Sequence, residues 1–222
     1  LYHSPKEKIS IQLGNGNLLA QLSKQKIIYN FRKNDILNGG EGAPLAPIFH
    51  KLLALKYKMK LPNCIINIGG ISNCTVIKKM EKINYANHLF SRDIGPGNCL
   101  IDSWVRKNSK NKYDEDGKLA HLGEINKIIL EQAQELYINS DKPKKRSFDV
   151  NDFDVSFARG LSLEDGSATL TDFTGRIIGA ALSSLLSNIK QKLFRVLICG
   201  GGRKNKSLIN RIKQRSLKEI IL

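Results

Sequence analysis

Two β-prone runs, Cys64 to Ile68 and Ile71 to Ile77, flank Gly69-Gly70, and no other feature constrains this 222-residue chain as strongly. Glycine enters tight-turn conformations without a steric penalty, so a Gly-Gly pair between such runs predicts a β-hairpin. Beyond it, Phe194 to Cys199 reads as a compact buried strand emptying into Gly200-Gly201-Gly202. Thr169 to Ile189 carries Ile178, Leu182, Leu185 and Ile189 on one helical stripe. Strands alternating with helices give an α/β fold class.

The remaining elements follow the same logic. Ile9 to Leu13 alternates as a short strand ended by Gly14-Asn15-Gly16, and Ile27 to Phe31 reads as another. A Gly- and Pro-rich loop is expected from Arg32 to Pro47, after which Pro47 opens a helix through Ile48, Leu52 and Leu55. A weaker strand ends near Asp93. Gly95-Pro96-Gly97 then predicts a turn, and Asn98 the N-cap of a helix carrying Leu100, Ile101, Trp104 and Val105. A further amphipathic helix runs through Ile125, Ile129, Ala133 and Leu136, and Lys142 to Asp154 is a charged connection. The chain starts at Leu1 and stops inside the apolar run Ile220-Ile221-Leu222, so more sequence is expected beyond both ends.

The formal charge of +16 invites a nucleic-acid reading. Apart from the cluster Lys142 to Arg146, however, the lysines are dispersed, and aromatics are not interleaved with them as a base-stacking platform requires. A solvated basic surface without a nucleic-acid partner is the expectation. There is neither an apolar run of membrane-spanning length nor an apolar stretch in Leu1 to Ser10, so no membrane partner and a cytoplasmic location are expected. Cys64, Cys74, Cys99 and Cys199 form no CxxC pair. Pairing about Gly69-Gly70 with Cys74 opposite Ile65 sets Cys64 and Cys74 on opposite faces, so free thiols are expected. His3, His50, His88 and His121 do not cluster, no metal site is expected, and His50 reads as a packing residue.

Three glycine turns and one aspartate carry the chemistry. Gly69-Gly70, with Ser72 and Asn73 after it, exposes backbone N–H groups to which a phosphate can come close. Asp93 stands at a strand end before Gly95-Pro96-Gly97-Asn98, which presents a carboxylate able to take a proton beside an anion-binding turn. Gly200-Gly201-Gly202 lies at the C-terminal end of a buried strand, where α/β proteins bind ligands. A fourth segment, Arg32 to Asp35 leading into Gly39-Gly40-Glu41-Gly42-Ala43-Pro44-Leu45, can cradle a polar substrate, with Arg32 pairing a carboxylate.

In order along the chain, Tyr2-His3-Ser4-Pro5, Phe31-Arg32 with Asp35, Gly39 to Leu45, Asn67-Ile68-Gly69-Gly70-Ile71-Ser72-Asn73, Asp93 to Asn98, Ala168-Thr169-Leu170-Thr171 and Cys199 to Gly202 resemble the anhydro-N-acetylmuramic acid kinase family. That resemblance implies an actin/hexokinase-like (ribonuclease H-like) fold with mixed sheets flanked by helices. Residues 1–31 would close an N-terminal lobe and residues 32–222 form most of the second. It implies an ATP-dependent kinase that converts 1,6-anhydro-N-acetylmuramic acid and water to N-acetylmuramic acid 6-phosphate in cell-wall sugar recycling, with a homodimer as the expected assembly. Asp93 becomes the general base. Arg32, Asp35, Glu41 and Asn98 fall at the sugar, and Gly69, Gly70, Ser72, Gly95, Gly97, Gly200, Gly201 and Gly202 at the nucleotide, with Mg²⁺ held by phosphates and water. Where the family has three consecutive arginines this chain reads Arg32-Lys33-Asn34, and Glu41 replaces a glutamine. Those substitutions motivate an alternative, another small-molecule kinase or ATP-driven hydrolase of the same superfamily. The family's N-terminal phosphate loop lies outside this sequence, which implies that the chain alone is inactive.

Overall fold

The computed structural model describes residues 2–4, 7–40, 42–79, 88–142, 147–187, 193–215 and 219–221. Its centre is a five-stranded sheet in the order β5-β4-β3-β6-β7, built from β3 (Asn63–Ile68), β4 (Ile71–Ile77), β5 (Leu89–Pro96), β6 (Leu193–Cys199) and β7 (Glu219–Ile221). The first three strands pair antiparallel, whereas β6 joins β3 and β7 joins β6 in parallel. A separate hairpin of β1 (Tyr2–Ser4) and β2 (Ile9–Ile11) precedes the sheet, followed by α1 (Gly16–Ser23).

Alternation along the strands assigns the two faces. Cys64, Ile66, Ile68, Cys74, Val76, Ile94 and Val196 point into the larger core, against α4 (Cys99–Asn108), α6 (Lys127–Asn139) and the long α7 (Leu163–Leu186). The short α5 (Lys118–Leu122) and the C-terminal α8 (Lys206–Arg215) complete that layer. Ile65, Ile77 and Leu197 point the other way, toward α3 (Pro47–Lys56) and its buried Ala54. A mixed sheet flanked by helices is the α/β architecture the sequence implied.

Three local expectations need correction. The segment Ile27 to Phe31 forms no strand, and what reads as a loop after Arg32 begins with helix α2 (Phe31–Leu37). Burial of Ile36 and a left-handed Asn30 before the helix favour that turn of helix over an extended run. Next, β5 continues through Pro96. Ser72 pairs with Gly95 and Asn73 with Asp93, so Ile94 is an extra residue in a β-bulge, and the turn is left to Gly97-Asn98. The third concerns the thiols. Ile68 pairs with Ser72 rather than Ile71, closed by a Gly69 N–H to Ile71 C=O bond, so Cys74 lies opposite Ile66. One residue of register moves a side chain to the other face, and Cys64 and Cys74 share a face with sulfurs 3.0 Å apart, as free thiols.

Candidate functional site

Register builds the site. Asp93 on β5 pairs with Asn73 on β4, Asn73 with Asn67 on β3, and Asn67 with Cys199 on β6. Because paired residues share a face, these four side chains form one polar row straight across four strands, on the side of α3. The row floors a cleft of about 420 Å³ whose walls include Arg32 from α2, Ala43 to Ala46 and His50 from α3. The bulge at Ile94 sits immediately beside Asp93, a placement that re-aims a side chain at a sheet edge.

Asp93 is only 7 % exposed, and its Oδ2 accepts the Phe148 N–H at 2.8 Å, which fixes the carboxylate plane. The Cys199 thiol lies 3.7 Å from Asn67 Oδ1, and burial pushes its pKa up, so it is a neutral wall rather than a nucleophile. His50 is buried with Nδ1 2.8 Å from Thr75 Oγ1, and burial lowers its pKa. The neutral imidazole therefore faces a carboxylate, two amides and one arginine. Such a floor can bind a polyhydroxylated, anionic molecule and take one proton from it or from water.

Alongside this row, at the ends of the same strands, the three glycine turns meet. The Asn98 N–H bonds Gly69 C=O at 2.7 Å, and the N–H groups of Gly97 and Cys99 bond Gly70 C=O at 2.8 and 3.1 Å. A Cβ at Gly97 would strike Gly69 C=O, one at Gly200 would strike Ile68 C=O, and one at Gly202 the Ile68 side chain. Segments more than a hundred residues apart in sequence thus share a junction beside the cleft.

The family model of anhydro-N-acetylmuramic acid kinase matches residues 1–221 of the chain. This chain belongs to that kinase family. An anhydro-N-acetylmuramic acid kinase of Pelagibacter ubique is 49 % identical over 222 residues, covering all of this chain and 58 % of the relative. Relatives of the same name from Zymomonas mobilis and Methylorubrum populi are 36 % and 34 % identical, over 93 % and 99 % of this chain and 53 % and 55 % of theirs. The chain therefore spans little more than half the length of these relatives. Among solved structures, an activator of 2-hydroxyisocaproyl-CoA dehydratase from Clostridium difficile with bound ADPNP aligns with TM-score 0.42 and 15 % identity, over 73 % of this chain and 54 % of that one.

Within the kinase-family blocks, Arg32 and Asp93 reach the cleft together. Asp35 does not line it. Its Oδ2 instead accepts the Gly42 N–H at 2.7 Å, so it shapes the loop that does. Glu41 lies outside the described residues. Asn98 occupies the N-cap position of α4 without a side-chain cap bond, and its amide lies against Gly201 and Gly202 rather than in the cleft. Ser72 faces the opposite side from Asn73, fully buried and with no hydrogen-bond partner for Oγ among the described residues. Gly95 packs against Ile177 with φ +145°. Asn67, His50 and Cys199 join the site unforeseen. Only the true hairpin register aligns Asn67 with Asn73 and Asp93, and nothing in the sequence announced that register. Among the described residues no three His, Cys, Asp or Glu side chains could together hold a metal ion, and no helix is long and apolar enough to cross a membrane.

Proposed function

We propose that the full-length protein phosphorylates 1,6-anhydro-N-acetylmuramic acid with ATP and water, releasing N-acetylmuramic acid 6-phosphate and ADP in the cytoplasm. The observation that carries this reading is the row Asp93-Asn73-Asn67-Cys199, facing Arg32 across one cleft and running into the glycine junction. Residues 1–31 would complete the N-terminal lobe and residues 32–222 supply most of the second, so that ATP is held between the two.

Asp93 takes a proton from water as its oxygen bonds to the anomeric carbon. The C1–O6 bond of the anhydro bridge breaks, and O6 bonds to the γ-phosphorus as the bond to the ADP oxygen breaks. Fixing the carboxylate through Phe148 N–H contributes the positioning on which such a step depends. The Asn67 and Asn73 amides are suited to sugar oxygens, and Arg32 to the lactyl carboxylate. Gly69, Gly70 and Gly201 would let the phosphates approach the backbone. Mg²⁺, held by phosphates and water, would neutralise charge on the transferred group.

The test is the product formed by the full-length enzyme from ATP and the anhydro sugar, read by mass spectrometry. Formation of the 6-phosphate, lost by at least a hundredfold in Asp93→Asn, is the expected result. A folded enzyme that ignores this sugar and turns over another sugar or a carboxylic acid would overturn the reading.

A further inference from the structure

His50 is held by a chain of hydroxyls whose protons can be counted. The Ser91 hydroxyl lies 2.9 Å from Cys74 C=O, and a carbonyl can only accept, so the single Ser91 proton goes there. Thr75 Oγ1 lies 3.3 Å from Ser91 Oγ, and with the Ser91 proton committed, only Thr75 can donate across that contact. With its proton placed there, Thr75 accepts from His50 Nδ1–H 2.8 Å away, an arrangement that makes both hydrogen bonds, whereas the other tautomer leaves the Ser91 contact unmade. A neutral imidazole protonated on Nδ1 is bare on Nε2. That nitrogen has no hydrogen-bond partner among the described residues, although His50 is 8 % exposed and lines the cleft. Thr75 follows Asn73 by two residues on the same face, so the ring stands one step behind the polar row.

We propose that His50 Nε2 is a hydrogen-bond acceptor for the sugar, making His50 a specificity-determining residue of the cleft. The identity of the sugar rests on the kinase reading above. 1,6-Anhydro-N-acetylmuramic acid with its carboxylate ionised has only two donors, the 4-hydroxyl and the acetamido N–H. The amides of Asn67 and Asn73 and the Arg32 guanidinium are rich in donors. Asn67 Oδ1 already accepts from the Cys199 thiol, so His50 Nε2 adds a neutral acceptor with no competing donor on the same atom. Protonation on Nε2 would turn the ring into one more donor and repel both groups.

The experiment has two arms on the full-length protein. The imidazole ¹⁵N spectrum without ligand should show His50 protonated on Nδ1 and bare on Nε2, and Ser91→Ala, which frees the Thr75 proton, should shift it toward the other tautomer. A proton on Nε2 in the wild type overturns the proposal, and this arm does not depend on the kinase reading. In the second arm, His50→Ala should raise KM for the anhydro sugar about five- to tenfold with KM for ATP unchanged. His50→Gln, which can return an amide oxygen, should recover part of the loss. An unchanged sugar KM, or equal rises in both constants, overturns it. Wild-type protein inert toward the sugar would overturn the kinase reading instead, while the tautomer arm still decides the acceptor state.

Discussion

A methyl group at Gly97 would strike the Gly69 carbonyl, and one at Gly200, where φ is +82°, the Ile68 carbonyl. Gly69, Gly70 and Gly201 differ. A Cβ there meets nothing closer than 3.4, 3.5 and 3.8 Å, none has positive φ, and all three are at least partly exposed. Packing requires glycine at the first pair and not at the second set, which leaves the backbone of the second set open to the approach of a ligand. The expected outcome divides accordingly. Gly97→Ala and Gly200→Ala should cost more than about 1 kcal/mol in denaturant unfolding. Gly70→Ala and Gly201→Ala should leave stability unchanged or slightly raised while KM for ATP rises about tenfold or more. ATP kinetics untouched by both alanines would reduce the three turns to packing devices. The sequence made the glycines visible as a class and could not sort them, because the sorting depends on which backbone lies across from each. Asp93 was legible for the opposite reason. A carboxylate before Gly-Pro-Gly is a local signal, whereas Asn67 and Asn73 acquire meaning only once four strands are in register.

At the scale of elements, hydrophobic pattern recovered what has a long repeating period or a strong turn. The hairpin of β3 and β4, the helices α3 and α4 and the strand β6 lie where alternation or an apolar stripe put them. Helix α6 begins at Lys127, after Ile125, and α7 begins at Leu163, six residues before Thr169, while Ile189 lies outside the described residues. Helix α2 escaped because seven residues hold too few repeats to outweigh the β-prone Ile27-Ile28-Tyr29 before it. What joins α7 to α8 was also invisible. Asp172 is fully buried, with Arg176 Nε at 2.7 Å, Arg211 Nε at 3.4 Å and an Arg215 nitrogen at 3.7 Å. Gly175 and Gly179 bring α8 close enough for this, since a Cβ at either would press on Arg211 or Arg215. Asp172→Asn would leave three clustered cations without their counter-charge, at a cost of about 2–3 kcal/mol once the partial exposure of the arginines is discounted. Denaturation of the full-length protein should show that loss, smaller at high salt as the arginines repel less. A loss under about 0.5 kcal/mol would mean that the cluster contributes nothing beyond the apolar contacts around it.

For the whole molecule the question is what a charge of +16 accomplishes. The C-terminal helix α8 carries Lys206, Arg211, Lys213 and Arg215 and would be the natural place for a nucleic-acid face. Two of those four cations, Arg211 and Arg215, are paired with the buried Asp172 while remaining partly exposed, which offsets part of the positive charge along the helix. Dispersed positive charge instead produces a diffuse field that favours small anions without fixing their orientation. ATP and the sugar carboxylate of the proposed reaction are both anions, so on that reading the field should act on their encounter with the cleft and not on the chemical step. Raising ionic strength from about 0.05 M to 0.5 M shortens the screening length from roughly 14 to 4 Å. The kcat/KM for ATP is therefore expected to fall roughly severalfold over that range while kcat holds. The methyl ester of the sugar, having lost its charge, should show a flat KM against salt where the free acid does not. Duplex DNA supplies the contrast. A competitor that binds through many phosphates loses affinity with a steep power of salt concentration, so strong inhibition at low salt that vanishes by 0.2 M would return the charge to a nucleic-acid role. Weak inhibition with a shallow slope, alongside the drop in kcat/KM, would assign it to the gathering of small anionic substrates.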